Sequence, residues 1–351
     1  MTVGELQEQI FPSAEGLERA LKAALRASQT ISPALRPRAP GIASPGGLVQ
    51  LSHQKPCILV PDLHARPAFI DALLRTEFPD LGEPLHSALE DDRVSLLFLG
   101  DILHAEGEEA ARRWISAYKR LAAARDDHAI LSPEMDEEMG LSLEALLKVI
   151  DLVCRFPNSV FCLKGNHDNV MNAADHGDFP FYKYADEGRM GALWFQLRYG
   201  PDIAQLVRRY ELSLPVAAVG ENYCASHAEP ALPLSRSAII AYFEHPEVVQ
   251  ALIWTANAEA KEGSVAKSLQ AIFASAEKAR HAVWFSGHRP VSGHFALRAQ
   301  GQLVQIHNPY FWQVVFIDRE PEKAVFFTVA PNKEQPEYTA SLVLDPFARQ
   351  K

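Results

Sequence analysis

The sequence predicts an α/β sandwich with buried sheets, and three observations predict it. Short apolar runs recur from residue 56 onward, with no polar alternation that would mark a solvated sheet face. Helical stretches separate them. Run after run then ends in residues able to hold a metal ion or move a proton. Near-continuous apolar strands alternating with helices indicate sheets covered on both faces, and open α/β sheets build their sites beyond the carboxyl ends of their strands.

Residues 14–28 (AEGLERALKAALRAS) place Leu17, Ala20, Leu21, Ala24 and Leu25 on one helical face, with Ser13 as N-cap. The Pro-, Gly- and Ser-rich stretch ISPALRPRAPGIASPGG follows as an irregular linker or strap, so residues 1–50 read as helix plus linker. The main domain is expected over 51–330. In it CILV (57–60) runs into Asp62 and His64, and VSLLFL (94–99) into Gly100 and Asp101. SVFCLK (159–164) runs into Gly165, Asn166, His167 and Asp168; YCAS (223–226) ends at His227; AVWFS (282–286) runs into Gly287 and His288. Helices are expected at 107–125 and 142–155, with Ser132-Pro133-Glu134 as a helix start. They form an insertion near 105–157 that serves as a cap or a partner-binding face. After His288 two hairpin-like stretches, the first turning at Gln300-Gly301, are expected to complete the second sheet. Residues 331–351 read as a polar surface segment with one last strand near SLVL.

Composition narrows the function. A 48% hydrophobic share over 351 residues supplies a sizeable core. Thirty-four Lys and Arg against 44 Asp and Glu give a net charge of −10, which argues against a nucleic-acid coat or an anionic membrane surface as main partner. No apolar run reaches the 18 residues of a membrane span. Met1 to Phe11 carries two glutamates and no basic apolar stretch, unlike a secretory signal. The four cysteines, Cys57, Cys154, Cys162 and Cys224, show no CxxC spacing, and three sit in strand-like runs. They read as reduced structural thiols, and the chain as cytoplasmic.

Asp62, His64, Asp101, Asn166, His227 and His288 are hard oxygen and imidazole donors, each just past an apolar run. Carboxylate with imidazole suits Mn, Fe, Zn or Co better than Ca. Two such ions about 3.5–4 Å apart stabilise both the attacking and leaving oxygens of an in-line phosphoryl displacement. One histidine after a strand is weak evidence. Five strand-end placements in one chain are not coincidence.

The blocks PDLHARPAFIDALL, FLGD, LKGNHD, ASHAEP and FSGHRP resemble, in order, those of the calcineurin-like metallophosphoesterases: DxH, GD, GNH(D/E), a lone His after a strand, and GHxP. They span Asp62 to Pro290. Ending in GHRP with no second histidine two residues on, the set resembles phosphoprotein-phosphatase-type and bacterial diadenosine-tetraphosphatase-type members more than the GHxH nucleases. The resemblance implies a sandwich of two mixed β-sheets flanked by helices. It further implies two divalent ions, the first on Asp62, His64 and Asp101. Asp101 would bridge to the second, completed by Asn166, His227 and His288. A bridging water acidified by both ions would attack phosphorus, and His167, oriented by Asp168 and its neighbours, would be general acid to the leaving oxygen.

The chain departs from the family after Asp101. Where close relatives read GDxVDRG, this sequence reads GDILHAEG, with His104 in place of an orienting Asp and Ala105 in place of a phosphate-binding Arg. His104 is a substitute orienter or substrate contact, or it only flanks the site. Arg66 and Arg289 are candidates for the missing clamp, followed by Tyr182, Lys183 and Arg189 in the segment 181–190. His294 and His307 lie beyond the blocks and read as structural. The acidic run 134–138 reads as a solvated helix end that would repel polyanions. The resulting expectation is hydrolysis of phosphomonoesters, including phosphoprotein, or of dinucleotide polyphosphates. Two alternatives stand beside it: a nucleotide phosphodiesterase, or a metal-binding interaction module that lost catalysis with its DRG element.

Overall fold

The computed structural model describes residues 11–319 and 322–350. The first ten residues, on which most of the secretory-signal expectation rests, lie outside them.

Two six-stranded mixed sheets pack face to face. In the first, β2 (Cys57–Val60), β3 (Ser95–Phe98) and β4 (Val160–Cys162) run parallel, and β10 (Gln313–Ile317), β11 (Lys323–Thr328) and β12 (Glu337–Val343) extend the sheet antiparallel from β2. In the second the order is β1 (Leu48–Gln50), β5 (Ala217–Val219), β6 (Tyr223–Ser226), β7 (Val283–Ser286), β9 (Leu303–Gln305) and β8 (Ala296–Arg298), with β6, β7 and β9 mutually parallel.

Alternate residues of each strand enter different cores, which explains runs apolar on both faces. Leu59, Leu97, Phe161, Phe285 and Val304 meet between the sheets. Ile58, Leu96, Phe98 and Val160 face outward from the first sheet. There they pack under α1 (Ala14–Thr30), α2 (Pro67–Arg75), α3 (Leu85–Glu90), α4 (Glu108–Ala124), α5 (Pro133–Arg155) and α6 (Glu187–Ser213). Cys224, Trp284 and Leu303 face outward from the second sheet, under α7 (Arg236–Ile240), α8 (Pro246–Ile253), α9 (Ser264–Ile272) and α10 (Ala276–His281). The molecule is four layers deep, helices outside two sheets.

Several local expectations meet their structural reasons. Ser13 and Ser132 accept hydrogen bonds from the amides of Gly16 and Met135, capping α1 and α5. The β8–β9 hairpin turns through Ala299, Gln300 and Gly301, all at positive φ. The hairpins divide, however: only β8 and β9 complete the second sheet, while β10 to β12 extend the first. Leu48–Gln50, inside the expected linker, adds β1 to the edge of the second sheet, parallel to β5. The acidic run 134–138 is not a solvated end. Glu134 pairs with Arg120, Glu137 and Glu138 pair with Arg113, and Asp136 accepts from the Trp194 indole, so the run fastens α5 to α4 and α6. No helix among the described residues is long and apolar enough to cross a membrane.

Behind β4 a buried polar network holds the loop that follows it. Lys164 Nζ lies 3.1 Å from Asp178, Arg208 reaches Asp178 and Asn169, and both oxygens of Glu211 accept from the Val170 amide. Burial, against Lys164 and with Asp168 and Asp178 adding, pushes the Glu211 carboxyl up to about 8. An unfolded Glu titrates near about 4.3, so this group's contribution to stability falls as pH rises between those values. Glu211→Gln should therefore narrow the drop in melting temperature between pH 5 and pH 8. An unchanged drop would show that Glu211 ionises normally in the fold.

Candidate metal centre

Six parallel strands end on one edge of the sandwich, three from each sheet, and each delivers a polar side chain there. Asp62 and His64 follow β2, Asp101 follows β3, Asn166 follows β4, His227 follows β6, His288 follows β7 and His307 follows β9. The backbone turns sharply at these points. His64, Ala65, Asp101, His104 and His288 adopt φ between 42° and 62°, a left-handed conformation that non-glycine residues keep only when their surroundings enforce it. Two hydrogen bonds, His64 N–H to Asp101 O at 2.7 Å and Ala65 N–H to Ile102 O at 2.8 Å, lock the first two turns together.

The imidazoles are set by backbone carbonyls. His64 donates Nδ1–H to His104 O at 2.9 Å, and His227 donates Nδ1–H to Leu99 O at 3.0 Å. A carbonyl only accepts, so in each neutral ring Nε2 carries a lone pair. Those lone pairs converge on one atom. Asp101 Oδ2 lies 3.6 Å from His64 Nε2 and 3.5 Å from His227 Nε2, while Asn166 Oδ1 stands 2.9 Å from His227 Nε2. The other oxygen of Asp101 is occupied by the His167 amide at 2.8 Å. Asp62 is held through the His288 amide, at 2.9 Å to Oδ2, and the His288 ring packs 5.1 Å from that of His227. The six side chains that the sequence offers as candidate ligands thus gather at one edge of the sandwich.

Buried acceptors facing one another without hydrogens between them ask for cations. The electrostatics agree. Burial, with Glu106 adding, pushes Asp62 up to about 6, and burial together with Asp62 and Asp168 raises Asp101 well above the carboxylate range. Burial drives His64 and His288 down to about 3 and His227 far below its usual value. Neutral imidazoles beside reluctant carboxylates are a donor set for divalent transition ions. Two sets close enough to share an ion are Asp62, Asp101 and His227, and Asp62, His64 and His307.

His307, which the sequence suggests is structural, lies among the candidate metal donors. It is buried, with Nδ1 3.7 Å from Asp62 Oδ2. Ile306-His307 closes an apolar run just as the other candidate ligands do, but it lies past the last family block and inside an expected hairpin. Glu106 was missed entirely. It is buried against His64 and His307 and bonds Lys183 Nζ at 2.9 Å.

Other expectations are corrected too. Asp168 does not orient the His167 ring. Its carboxylate accepts from the amides of Gly165 (2.8 Å), Asp101 (3.0 Å) and Ile102 (3.0 Å), tying the β3 and β4 turns together. His104 does not replace the orienting Asp either. Its ring lies 5.8 Å from that of His167, Phe181 packs against both, and His167 Nδ1 is buried with no hydrogen-bond partner. What His104 supplies is the carbonyl behind His64. Arg189 is exposed and pairs with Asp186, so it serves the surface. Tyr182 is 81% exposed. Arg66 caps the carbonyls of Leu63 and Asp62 and keeps Nη1 unpartnered; Arg289, half-buried, keeps Nε unpartnered.

A cleft of about 600 Å³ opens beside His64. Arg66, Glu106 and Lys183 lie along it, and Ala65, Leu141, Val291 and Tyr310 are among its apolar walls. Another of about 590 Å³ lies at the amino ends of β2 to β4, lined by Lys55, Asp92 and Arg93. None of the converging donors faces it, so size does not choose between them and chemistry does.

Among solved structures, a protein serine/threonine phosphatase from Saccharomyces cerevisiae, described as similar to human phosphatase PP5, shares the fold with a TM-score of 0.54. The match covers 88% of this chain and 84% of that one at 14% identity. A cold-active protein-tyrosine phosphatase of a psychrophilic Shewanella species matches 88% of this chain and 85% of its own at 10% identity, with a TM-score of 0.46. No protein-family model matches the sequence, and no curated protein matches it. The yeast enzyme establishes a common architecture and nothing about chemistry.

Proposed function

We propose that this chain, which has the calcineurin-like metallophosphoesterase fold, hydrolyses phosphoesters with the help of two divalent metal ions. One observation carries the proposal: the single oxygen Asp101 Oδ2 stands between His64 Nε2 and His227 Nε2, each imidazole having spent its other nitrogen on a carbonyl. Asp62, His64, Asp101 and His307 would hold one ion, and Asp101, Asn166, His227 and His288 the other. When bound, such a pair provides a nucleophile at neutral pH and neutralises phosphoryl charge.

The chain's own residues do the rest. Arg66 and Lys183 line the cleft beside His64, where a guanidinium and an ammonium can bind phosphoryl oxygens in place of the arginine that Ala105 displaces. The apolar walls receive the group attached to phosphorus and exclude water from it. His167 keeps its place beside Asp101, but no carboxylate holds a proton on its ring, and burial beside His64, His104 and Lys183 drives it well below its usual value. Proton assistance to the leaving oxygen is therefore weak. A positioned general acid is worth roughly 10²–10⁴-fold, so aryl phosphates, whose leaving groups need little help, should be turned over faster than alkyl phosphates by a factor of that order.

The test is a panel of aryl and alkyl phosphomonoesters, dinucleotide polyphosphates and a phosphodiester, assayed on Mn-, Zn- and Fe-supplemented protein whose metal content is measured. About two ions per chain and monoester turnover favouring aryl substrates are expected. Protein that stays metal-free through supplementation would end the proposal. Diester turnover far above monoester turnover would make the chain a phosphodiesterase.

A further inference from the structure

We propose that Glu106 positions His307 as a metal ligand, so that the ion at Asp62 and His64 is held by a carboxylate-backed histidine. This rests on the two-metal reading above and says which of the chain's departures from its relatives serve that centre.

His307 is almost wholly buried at the end of β9. Its two nitrogens face different carboxylates: Nδ1 is 3.7 Å from Asp62 Oδ2 and Nε2 is 3.0 Å from Glu106 Oε1. Both nitrogens, and Glu106 Oε1 itself, are buried without a hydrogen-bond partner. The Nε2 to Oε1 contact is short enough for a bond but is not aligned as one. One tautomer suits the surroundings. With the proton on Nε2 the ring donates to Glu106, and Nδ1 offers its lone pair on the side of Asp62, 3.7 Å away, in a donor group that Asp62, His64 and His307 form together. The other tautomer sets a bare Nε2 against an ionised carboxylate at 3.0 Å in a buried site, lone pair against lone pair. Lys183, 2.9 Å from Glu106 Oε2, and Arg66, 4.0 Å from Oε1, hold that carboxylate ionised.

Metal-bound histidines generally give their second N–H to a carboxylate or a backbone carbonyl, which fixes the ring and raises its basicity. The run His104-Ala105-Glu106 does this twice. The carbonyl of His104 backs His64, and the carboxylate of Glu106 backs His307. The stretch that lacks the family's orienting Asp and phosphate-binding Arg thus backs two imidazoles, one through a backbone carbonyl that any residue supplies and one through the Glu106 side chain.

The test titrates chelator-treated protein with Mn²⁺ by calorimetry and records the visible spectrum of the Co²⁺ form. Wild type, His307→Ala, Glu106→Gln, Glu106→Asp and Lys183→Met are compared. Loss of such a backing residue costs roughly 10–100-fold in metal affinity. Glu106→Gln should weaken one of two ions by that factor and alter the Co²⁺ spectrum, Glu106→Asp should recover part of the loss, and His307→Ala should lose that ion. Lys183→Met leaves Arg66 beside Glu106 and should weaken binding less than Glu106→Gln does. Because Glu106→Gln keeps the shape of the side chain, it decides the matter even if His307→Ala fails to fold. Wild-type affinity and spectrum in Glu106→Gln would overturn the proposal, as would an equal loss in Lys183→Met, which would trace the effect to the ion pair. A wild type that binds no Mn²⁺ or Co²⁺ overturns the two-metal reading instead.

Discussion

Asp101→Asn should empty the centre and, in the same protein, strengthen the fold when no metal is present. The carboxylate sits between the lone pairs of His64 and His227, so on the two-metal proposal its charge would serve both ions. Removing one partner from a buried charged pair costs about 3–5 kcal/mol, or roughly two to four decades of affinity. Metal content and turnover should fall together. In chelator the sign reverses. Burial, Asp62 and Asp168 all press against ionisation of Asp101, and a neutral amide relieves that pressure. The melting temperature of the chelated variant should exceed that of the chelated wild type at pH 7. Full occupancy with full turnover would remove Asp101 from between the ions. A lower melting temperature in chelator would show that the carboxylate is not strained there.

Gly287→Ala should be nearly as damaging, by a steric route. A Cβ on Gly287 would stand 1.9 Å from Asp62 Oδ1, well inside any allowed contact. Asp62 cannot simply swing away, because its oxygens are held by the His288 amide at 2.9 and 3.2 Å. It stands with His64 and His307 in one candidate donor group, so its displacement should cost the ion those residues would hold. Overpacking of this kind also destabilises by about 1–3 kcal/mol, which a melting curve in chelator would register. Gly293→Ala, where an added Cβ meets nothing within 4 Å, is the control. Equal metal affinity in the two variants would mean that Asp62 relaxes freely. The glycine of the SGH block is thus there for room. The same holds for Gly165 in GNHD, whose Cβ would lie 2.2 Å from Asp101 Oδ1.

Much of this architecture was legible in the residues alone. Strands buried on both faces must be apolar throughout, so CILV, VSLLFL and SVFCLK announced covered sheets. The strand-end rule, joined to the resemblance to calcineurin-like blocks, points to Asp62, His64, Asp101, Asn166, His227 and His288 meeting at one edge. What could not be read was pairing across sheets and the use made of each polar atom. Asp168 looks like an orienter of its neighbour His167, yet three backbone amides claim its carboxylate. The run 134–138 looks like solvated acid, yet it meets Arg113 and Arg120 on an antiparallel helix.

The sequence by itself determined the layers and which strand ends carry donors, because burial and strand length are local properties that composition records directly. Only the tertiary structure decided that β9 runs parallel to β7, which brings His307 to the same edge as His288, and that the loop after β3 folds Glu106 inward against it. Those facts depend on which distant segments become neighbours. No spacing within one chain segment encodes that choice.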